Sequence, residues 1–436
     1  MRARAIAVGL AALTVSAGVA LGAGLFRNGG SAAFEVLAHV DPGGGYGGDV
    51  VLHDQIAYLS SHRGSDTCFA AGVRVFDLHD PRQPRRVATF ADGVSAPVLA
   101  ESWTEKTVVR TVATPSFTGT LAVTSVQACS PREGGFQGFA LYDVSRPANP
   151  RRLALVRTEP RGSHEIWLQR RGARVYVYTA ITASEIRSSP DGDTPGEPDF
   201  RIYDVSDPRS PMEVGGWGAW KELGLRPFEP GAGPLDGNFV HSVLGNAAGT
   251  RAYLSYWRLG TVILDVSDPT RPRYLGRTRG DTANTHSAWL DERRNLLVET
   301  HERTGGRPIF YRLRGSGDPV ALATLTLPRR LLTEGHRRGG LSPVSGITLT
   351  DSVHDAKLDG TTAYLSWYSQ GVVAADISDP TKPKVIARFL PRPGKDPERL
   401  LCPDHPCVAV WGMDIGPDYV VAADMISGLW VLKLNR

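Results

Sequence analysis

At 436 residues, with 48 glycines, 31 prolines and a formal net charge of +4, the chain is long enough for a large buried core and too nearly neutral for a nucleic-acid surface. It has no basic stripe, no long charge run and no acidic tail, which excludes the electrostatic footprint of a DNA or RNA binder. The glycine and proline content, with aromatics spread evenly, favours many short strands and turns over long helices.

The N-terminus reads MRARAIAVGLAALTVSAGVALGAGLF. Arg2 and Arg4 precede an uncharged apolar run from Ala5 to Phe26, the pattern of an export signal. The run is about as long as a bilayer crossing requires. Two fates follow: a signal cleaved near Gly22 or Ala33, which is favoured, or an uncleaved anchor that would be the chain's contact with a membrane. Residues 1–33 are therefore read as signal peptide (or membrane anchor) and short linker, and 34–436 as a single exported domain, secreted or associated with the cell envelope.

Beyond residue 34 one phrase recurs. YDVSDPRSPMEVG, LDVSDPTRPRYLG and ADISDPTKPKVIA are near copies, and Asp-Pro pairs stand at Asp80, Asp207, Asp268, Asp318 and Asp379, with Arg146-Pro147 as a variant. The spacing of roughly 50–66 residues lies in the range of propellers and large solenoids. An alternating apolar run such as TVILDV precedes each pair, a second such as RYLGRT follows, and two more such as HSVL and RAYLSY lie upstream. Alternation with β-branched and aromatic residues reads as strand, and four strands in meander order make a propeller blade. The aspartate can bond turn amides, and the second proline opens an outer strand whose missing N–H blunts edge pairing.

Six units are complete. VWGMDI, YVVAAD and GLWVLKL at the C-terminus lack a fourth strand, whereas FEVLAHV near residue 34 resembles fourth strands and has no first three. The expectation is an all-β, seven-bladed β-propeller of four-stranded antiparallel blades, its ring closed by the N-terminal strand. Blade five, FYRLRGSGDPVALATL, lacks the second proline, which leaves a six-bladed ring as the alternative. The phrases GTVILDVSDPTRPRYLG, GVVAADISDPTKPKVIA, DFRIYDVSDPRSPMEVG and GVRVFDLHDPRQPRRVA resemble the LVIVD-repeat family of exported propellers. The resemblance covers most of the chain after residue 34, and implies the fold while implying no common activity.

The first, innermost strand of blades three to six carries a histidine: His164-Glu165, His241-Ser242, His286-Ser287 and His354-Asp355; Trp411 and Gly48-Asp49 align with them in blades seven and one. Four such residues would form an arc around the channel. On one reading each imidazole bridges neighbouring blades structurally. On the other the arc, with Glu165 and Asp355 as ligands or supporting partners, binds an anion or a metal such as zinc, copper or iron. The arc also resembles, more distantly, the channel histidines of selenium-binding-protein propellers. A second layer, His62, Trp257, His301 and Tyr368, follows the second strands.

Long insertions at 129–138, 182–199, 212–238, 328–350 and 391–408 fall on the same face. Cys402 and Cys407 bracket CPDHPC and are expected to pair locally, leaving Cys68 for Cys129. GGGYGG at 43–48 is a turn rather than a nucleotide loop because strands flank it, and no G-x-S-x-G motif occurs. Two functions remain: an exported module that binds an extracellular ligand or partner through its insertion-rich face, or a metal-dependent oxidase or hydrolase built on the histidine arc.

Overall fold

The computed structural model describes residues 33–435 except 42, 63–70, 130–134, 159, 188–193, 228–236, 338–351, 397, 398, 400 and 403. Seven antiparallel meanders share the predicted order, each strand bonded to the next. Blade one comprises Tyr46–His53, Ile56–His62, Val73–Asp77 and Arg85–Phe90. Blade two comprises Thr107–Ala113, Thr118–Ala128, Gly138–Asp143 and Arg151–Arg157, with the short strand Ser102–Trp103 pairing the far end of the second. Blade three comprises Glu165–Arg171, Arg174–Ala180, Phe200–Asp204 and Met212–Trp217, and blade four Val240–Gly245, Arg251–Tyr256, Gly260–Asp265 and Arg273–Arg277. Blade five comprises Thr285–Asp291, Leu296–His301, Ile309–Arg312 and Val320–Thr324, and blade six Asp355–Asp359, Thr362–Trp367, Gly371–Asp376 and Lys384–Phe389. In blade seven, Val410–Ile415, Val420–Asp424 and Gly428–Asn435 are joined by Ala33–Val40, which pairs antiparallel with Gly428–Asn435.

The second and third strands are buried on both faces because blades stack against each other, so Tyr58, Val75, Leu254, Val262, Leu365 and Val373 all lie in the core. Outer strands begin exposed and become half-buried to buried toward their ends. Every outermost pairing contains a one-residue register shift: between Val75 and Phe76, Ile263 and Leu264, and Ala374 and Ala375, for example, and between Val36 and Ala38 in blade seven. A bulge twists an edge strand away from further pairing. Its presence in Ala33–Val40 marks that segment as a fourth strand by the same rule as the others.

The repeated turn behaves as its chemistry requires. Asp80, Asp207, Asp268 and Asp379 each accept a bond from the amide two residues on, and Asp268 Oδ1 receives Thr270 N at 3.0 Å. Blade five departs here too: Asp318 instead accepts Arg277 N at 3.0 Å and the Arg279 guanidinium at 2.7 Å, both from blade four. The turn has become a tie between blades, which accounts for the loss of the second proline without loss of the blade. Short hydroxyl side chains on second strands make similar ties inside the ring. Thr300 Oγ1 donates to the His354 carbonyl at 3.0 Å, and Ser366 Oγ to the Trp411 carbonyl at 2.7 Å.

The insertions support one another. The Glu185 carboxylate accepts Trp220 N and Lys221 N from the first turn of the helix Ala219–Leu223. Arg388 donates to the Leu331 carbonyl in the helix Arg329–His336 at 3.1 Å. The Cys402–Cys407 disulfide is present, and the bridge between Gly394 and Cys407 fixes its loop. The expected Cys68–Cys129 bond and the N-terminal signal fall outside the described residues. Among the described residues no helix is long and apolar enough to cross a membrane.

Candidate functional site

Each inner strand opens with a residue that cannot follow the regular ladder. In blades one, four, five and seven the pairing with the second strand is shifted at Gly47/Val50, Val240/Ser242, Thr285/Ala288 and Val410/Gly412. In blades three and six the residue precedes the strand, its amide bonded to a second-strand carbonyl: His164 N to Ala180 O, and His354 N to Ser366 O. A bulge re-aims its side chain, here inward. The outcome is a ring of Gly48, Glu105, His164, His241, His286, His354 and Trp411, one residue per blade. Ring centroids are 4.3 Å apart for His164–His241, 4.2 Å for His241–His286, 4.0 Å for His286–His354 and 3.9 Å for His354–Trp411.

The four sequence-predicted histidines are thus brought together, and Glu105 joins them. Glu105 Oε2 lies 2.9 Å from His164 Nδ1, which also contacts Gln127 Oε1 at 2.6 Å. Burial opposes charge on both partners, but their mutual attraction wins, so Glu105 is held below and His164 above its ordinary pKa. His164 Nε2 then meets His241 Nε2 at 2.9 Å, one imidazole nitrogen donating to the other. Burial, followed by repulsion from neighbouring cationic side chains, keeps His241, His286 and His354 far below the usual imidazole pKa. The carbonyl of the next blade's ring residue, His286, His354 or Trp411, works weakly against that depression.

Three neutral imidazoles are therefore buried side by side, and among the described residues His241 Nδ1 and both nitrogens of His286 and of His354 make no well-aligned hydrogen bond. Buried polar atoms without a partner are costly, so this cluster stands out among the described residues.

The second layer is only partly as expected. His62 packs against Trp103 and Trp411, Trp257 stacks on His241 at 5.0 Å, and Tyr368 meets His354 at 5.5 Å. His301 does not belong to it. Its Nδ1 faces the Arg307 carbonyl at 2.8 Å and its Nε2 the Asp281 carbonyl at 2.7 Å, with Glu299 beside it at 3.2 Å. The position equivalent to Trp257 is Glu302, since Trp257 N and Glu302 N make the same bond back to the start of their blades, to Phe239 O and Asn284 O. Glu302 accepts the Tyr368 hydroxyl and places Oε2 3.7 Å from His286 Nε2. Burial raises its pKa to about 7. His241, His286 and Glu302 each offer a ligand atom, all within 4.8 Å of one another.

Glu165 and Asp355 stand one layer below, where they serve a different partner. Lys106 Nζ lies 2.7 Å from Asp49 Oδ2, 3.5 Å from Glu165 Oε2 and 4.0 Å from Asp355 Oδ2. Asp355 also holds Lys357 Nζ at 2.8 Å. Burial pushes the Glu165 pKa up to about 7, against the pull of Lys106. Burial acts on Asp355 too, but Lys357 and Lys106 outweigh it and keep that carboxyl below its ordinary range. Glu105, Lys106, Gln127 and Glu302 escaped the sequence analysis. Glu105-Lys106 occupies the ring position of blade two, legible once the first strand is aligned as TVVRTVA; Glu302 required the register of blade five.

A model of the LVIVD repeat matches residues 247–279, which span the second, third and fourth strands of blade four. No curated protein matches the chain. Among solved structures it is similar to the Cps50 (Swd1) β-propeller domain of Myceliophteria thermophila at 10% identity and TM-score 0.53, over 92% of this chain and 100% of that one. It is also similar to the computationally designed Ika8 protein at 8% identity and TM-score 0.48, over 91% and 99% of the two chains. At these identities the likeness concerns the fold alone.

Proposed function

We propose that the protein is an exported binding propeller whose ligand, a late first-row transition-metal ion such as Zn²⁺ or Cu²⁺, is taken at the insertion-rich end of the channel by His241, His286 and Glu302, with His354 alongside. The observation that carries this reading is the group of buried imidazole nitrogens without partners beside a buried carboxylate. Neutral imidazole and carboxylate are the donors such ions prefer, and the depressed histidine pKa values keep the donor lone pairs free at neutral pH. Glu105 and the partly ionised Glu302 supply negative charge. A bound ion would draw three ligand atoms inward from their present spread, since metal–nitrogen bonds are about 2.0–2.1 Å long. Export is supported by the apolar N-terminal run and by the Cys402–Cys407 disulfide, which suits an oxidising compartment.

The test is metal analysis of the purified full-length chain, followed by Zn²⁺ titration of chelator-treated protein. About one ion per chain is expected, and a free concentration a hundredfold above Kd should add about 2.7 kcal/mol to stability. H286A and E302Q should each lose the ion and the added stability. Chelator-treated H286L should be as stable as the parent or more so, because it removes two unbonded nitrogens. A parent that takes up neither Zn²⁺ nor Cu²⁺ overturns the metal assignment.

A further inference from the structure

The inner strands that begin at the histidine ring end at a second concavity. Thr107–Ala113, Glu165–Arg171, Val240–Gly245 and Thr285–Asp291 run side by side away from the ring, and their far ends enclose a cavity of about 710 Å³. This volume lies within the range of small-molecule sites, which run to about 300–1,000 Å³. Arg110, Trp167, Gln169, Leu244, Trp289 and Glu292 line it. It shares no residue with the metal-site donors.

Its walls are built rather than incidental. Trp167 and Trp289 meet edge to face at 6.0 Å, two indoles from blades three and five, with blade four between them. Trp167 is fixed by its Nε1–H donating to Gln169 Oε1 at 3.0 Å, and Gln169 is fixed in turn by donating Nε2–H to the Arg170 carbonyl at 2.7 Å. The rear of Trp289 is covered by Lys357, whose Nζ lies 3.9 Å from the ring centroid. Gly245 keeps the floor open to this arrangement, since a Cβ there would fall 2.1 Å from Gln169 Oε1.

The chemistry of the cavity is set by Arg110. Its guanidinium lies over Trp167 at 5.0 Å, and among the described residues it donates from Nη1 to the neighbouring Val109 carbonyl at 2.9 Å. No carboxylate of the described residues makes an ion pair with it. Asp414 exerts the attraction it feels, and both oxygens of Asp414 are occupied by amides, Oδ2 by Leu52 N at 2.8 Å and Oδ1 by Ile415 N at 2.9 Å. At the rim Glu292 is engaged through Oε1 by Ala247 N, while Arg170 and Arg171 add positive charge. A half-buried guanidinium without an ion-pair partner among the described residues, beside two indoles, matches one kind of ligand. The fork takes a carboxylate in two parallel bonds, and the indoles take a flat apolar body.

We propose that this end of the channel is a binding site for small aromatic carboxylates, with Arg110 holding the carboxylate and Trp167 and Trp289 holding the ring. Calorimetric titration of the full-length protein with cinnamate and with cinnamamide, the uncharged isostere, tests it. Cinnamate is expected to bind with one site per chain and at least tenfold more tightly than the amide. R110Q should abolish that tenfold preference while leaving the melting temperature within a few degrees, and W289L should weaken both probes. Zn²⁺ uptake should be unchanged in R110Q, so failure of this site and failure of the metal site are read separately. Equal binding of acid and amide, absence of saturable cinnamate binding, or an undiminished preference in R110Q would each overturn the proposal. Should R110Q fail to fold, the acid-to-amide comparison on the parent decides the matter alone.

Discussion

A chain lacking residues 34–40 is expected to lose about 5 kcal/mol or more of unfolding free energy, a large share of the 5–15 kcal/mol that holds an ordinary domain. The segment supplies a full ladder to Gly428–Asn435, from Phe34↔Leu434 to Val40↔Leu429. It also packs in two directions. Phe34, 5% exposed, sits with Tyr364, Phe389 and Trp430 between blades six and seven, while Leu37, Ala38 and Val40 lie with Phe76 and Tyr419 between blades seven and one. Removing the strand therefore exposes apolar surface on two blades and leaves the outer edge of Gly428–Asn435 unpaired. The single change F34A should cost about 3–5 kcal/mol by the cavity it leaves. Denaturant unfolding of both variants measures this, and a truncated chain as stable as the parent would show that the ring does not depend on this strand for closure.

The second large effect is expected at Lys106. Its ammonium is buried against Asp49, Glu165 and Asp355, so K106M leaves three carboxylates with a single remaining cation, Lys357, and that one on Asp355 alone. Breaking a buried ion group by removing one sign costs about 3–5 kcal/mol. The deficit should depend on pH with a defined sign. Glu165 already titrates near 7 with Lys106 in place, above its unfolded value near 4.5, so the folded state holds an extra proton between those limits and Glu165 contributes less stability as pH rises. Without Lys106 the folded value moves higher still. The gap between parent and K106M should therefore be smaller at pH 5.5 than at pH 8, as urea unfolding at the two values will show. A gap that is small and flat would mean that the carboxylates are solvated.

The fold was legible because it is repetitive. Each Asp-Pro turn carries the same local physics, and the one exception, Asp318, announced itself by a missing proline and proved to be a tie to Arg277 and Arg279. The histidine arc was legible for the same reason. What escaped was whatever broke the repeat. Glu105-Lys106 stands where other blades show histidine, glycine or tryptophan, and a repeat search discards such a substitution. Glu302 escaped because blade five reads NLLVETHE where its neighbours read TRAYLSYW and TTAYLSWY, and an error of one residue sends a side chain to the opposite face. Arg110 and the two tryptophans escaped entirely. No spacing within one strand links them, since Trp167 and Trp289 stand on blades three and five and meet only in space.

Lys106 has a consequence for traffic through the molecule. With Asp49, Glu165 and Asp355 gathered on it, the ammonium sits between the imidazole ring above and the tryptophan-lined cavity below. A solute crossing from one mouth to the other would have to pull apart a desolvated charge cluster, at a cost no weak ligand could repay. On the two assignments proposed above, Lys106 and its three carboxylates stand between the sites as a charged partition. On that reading a ligand at either site leaves by the way it entered, and the two sites fill independently.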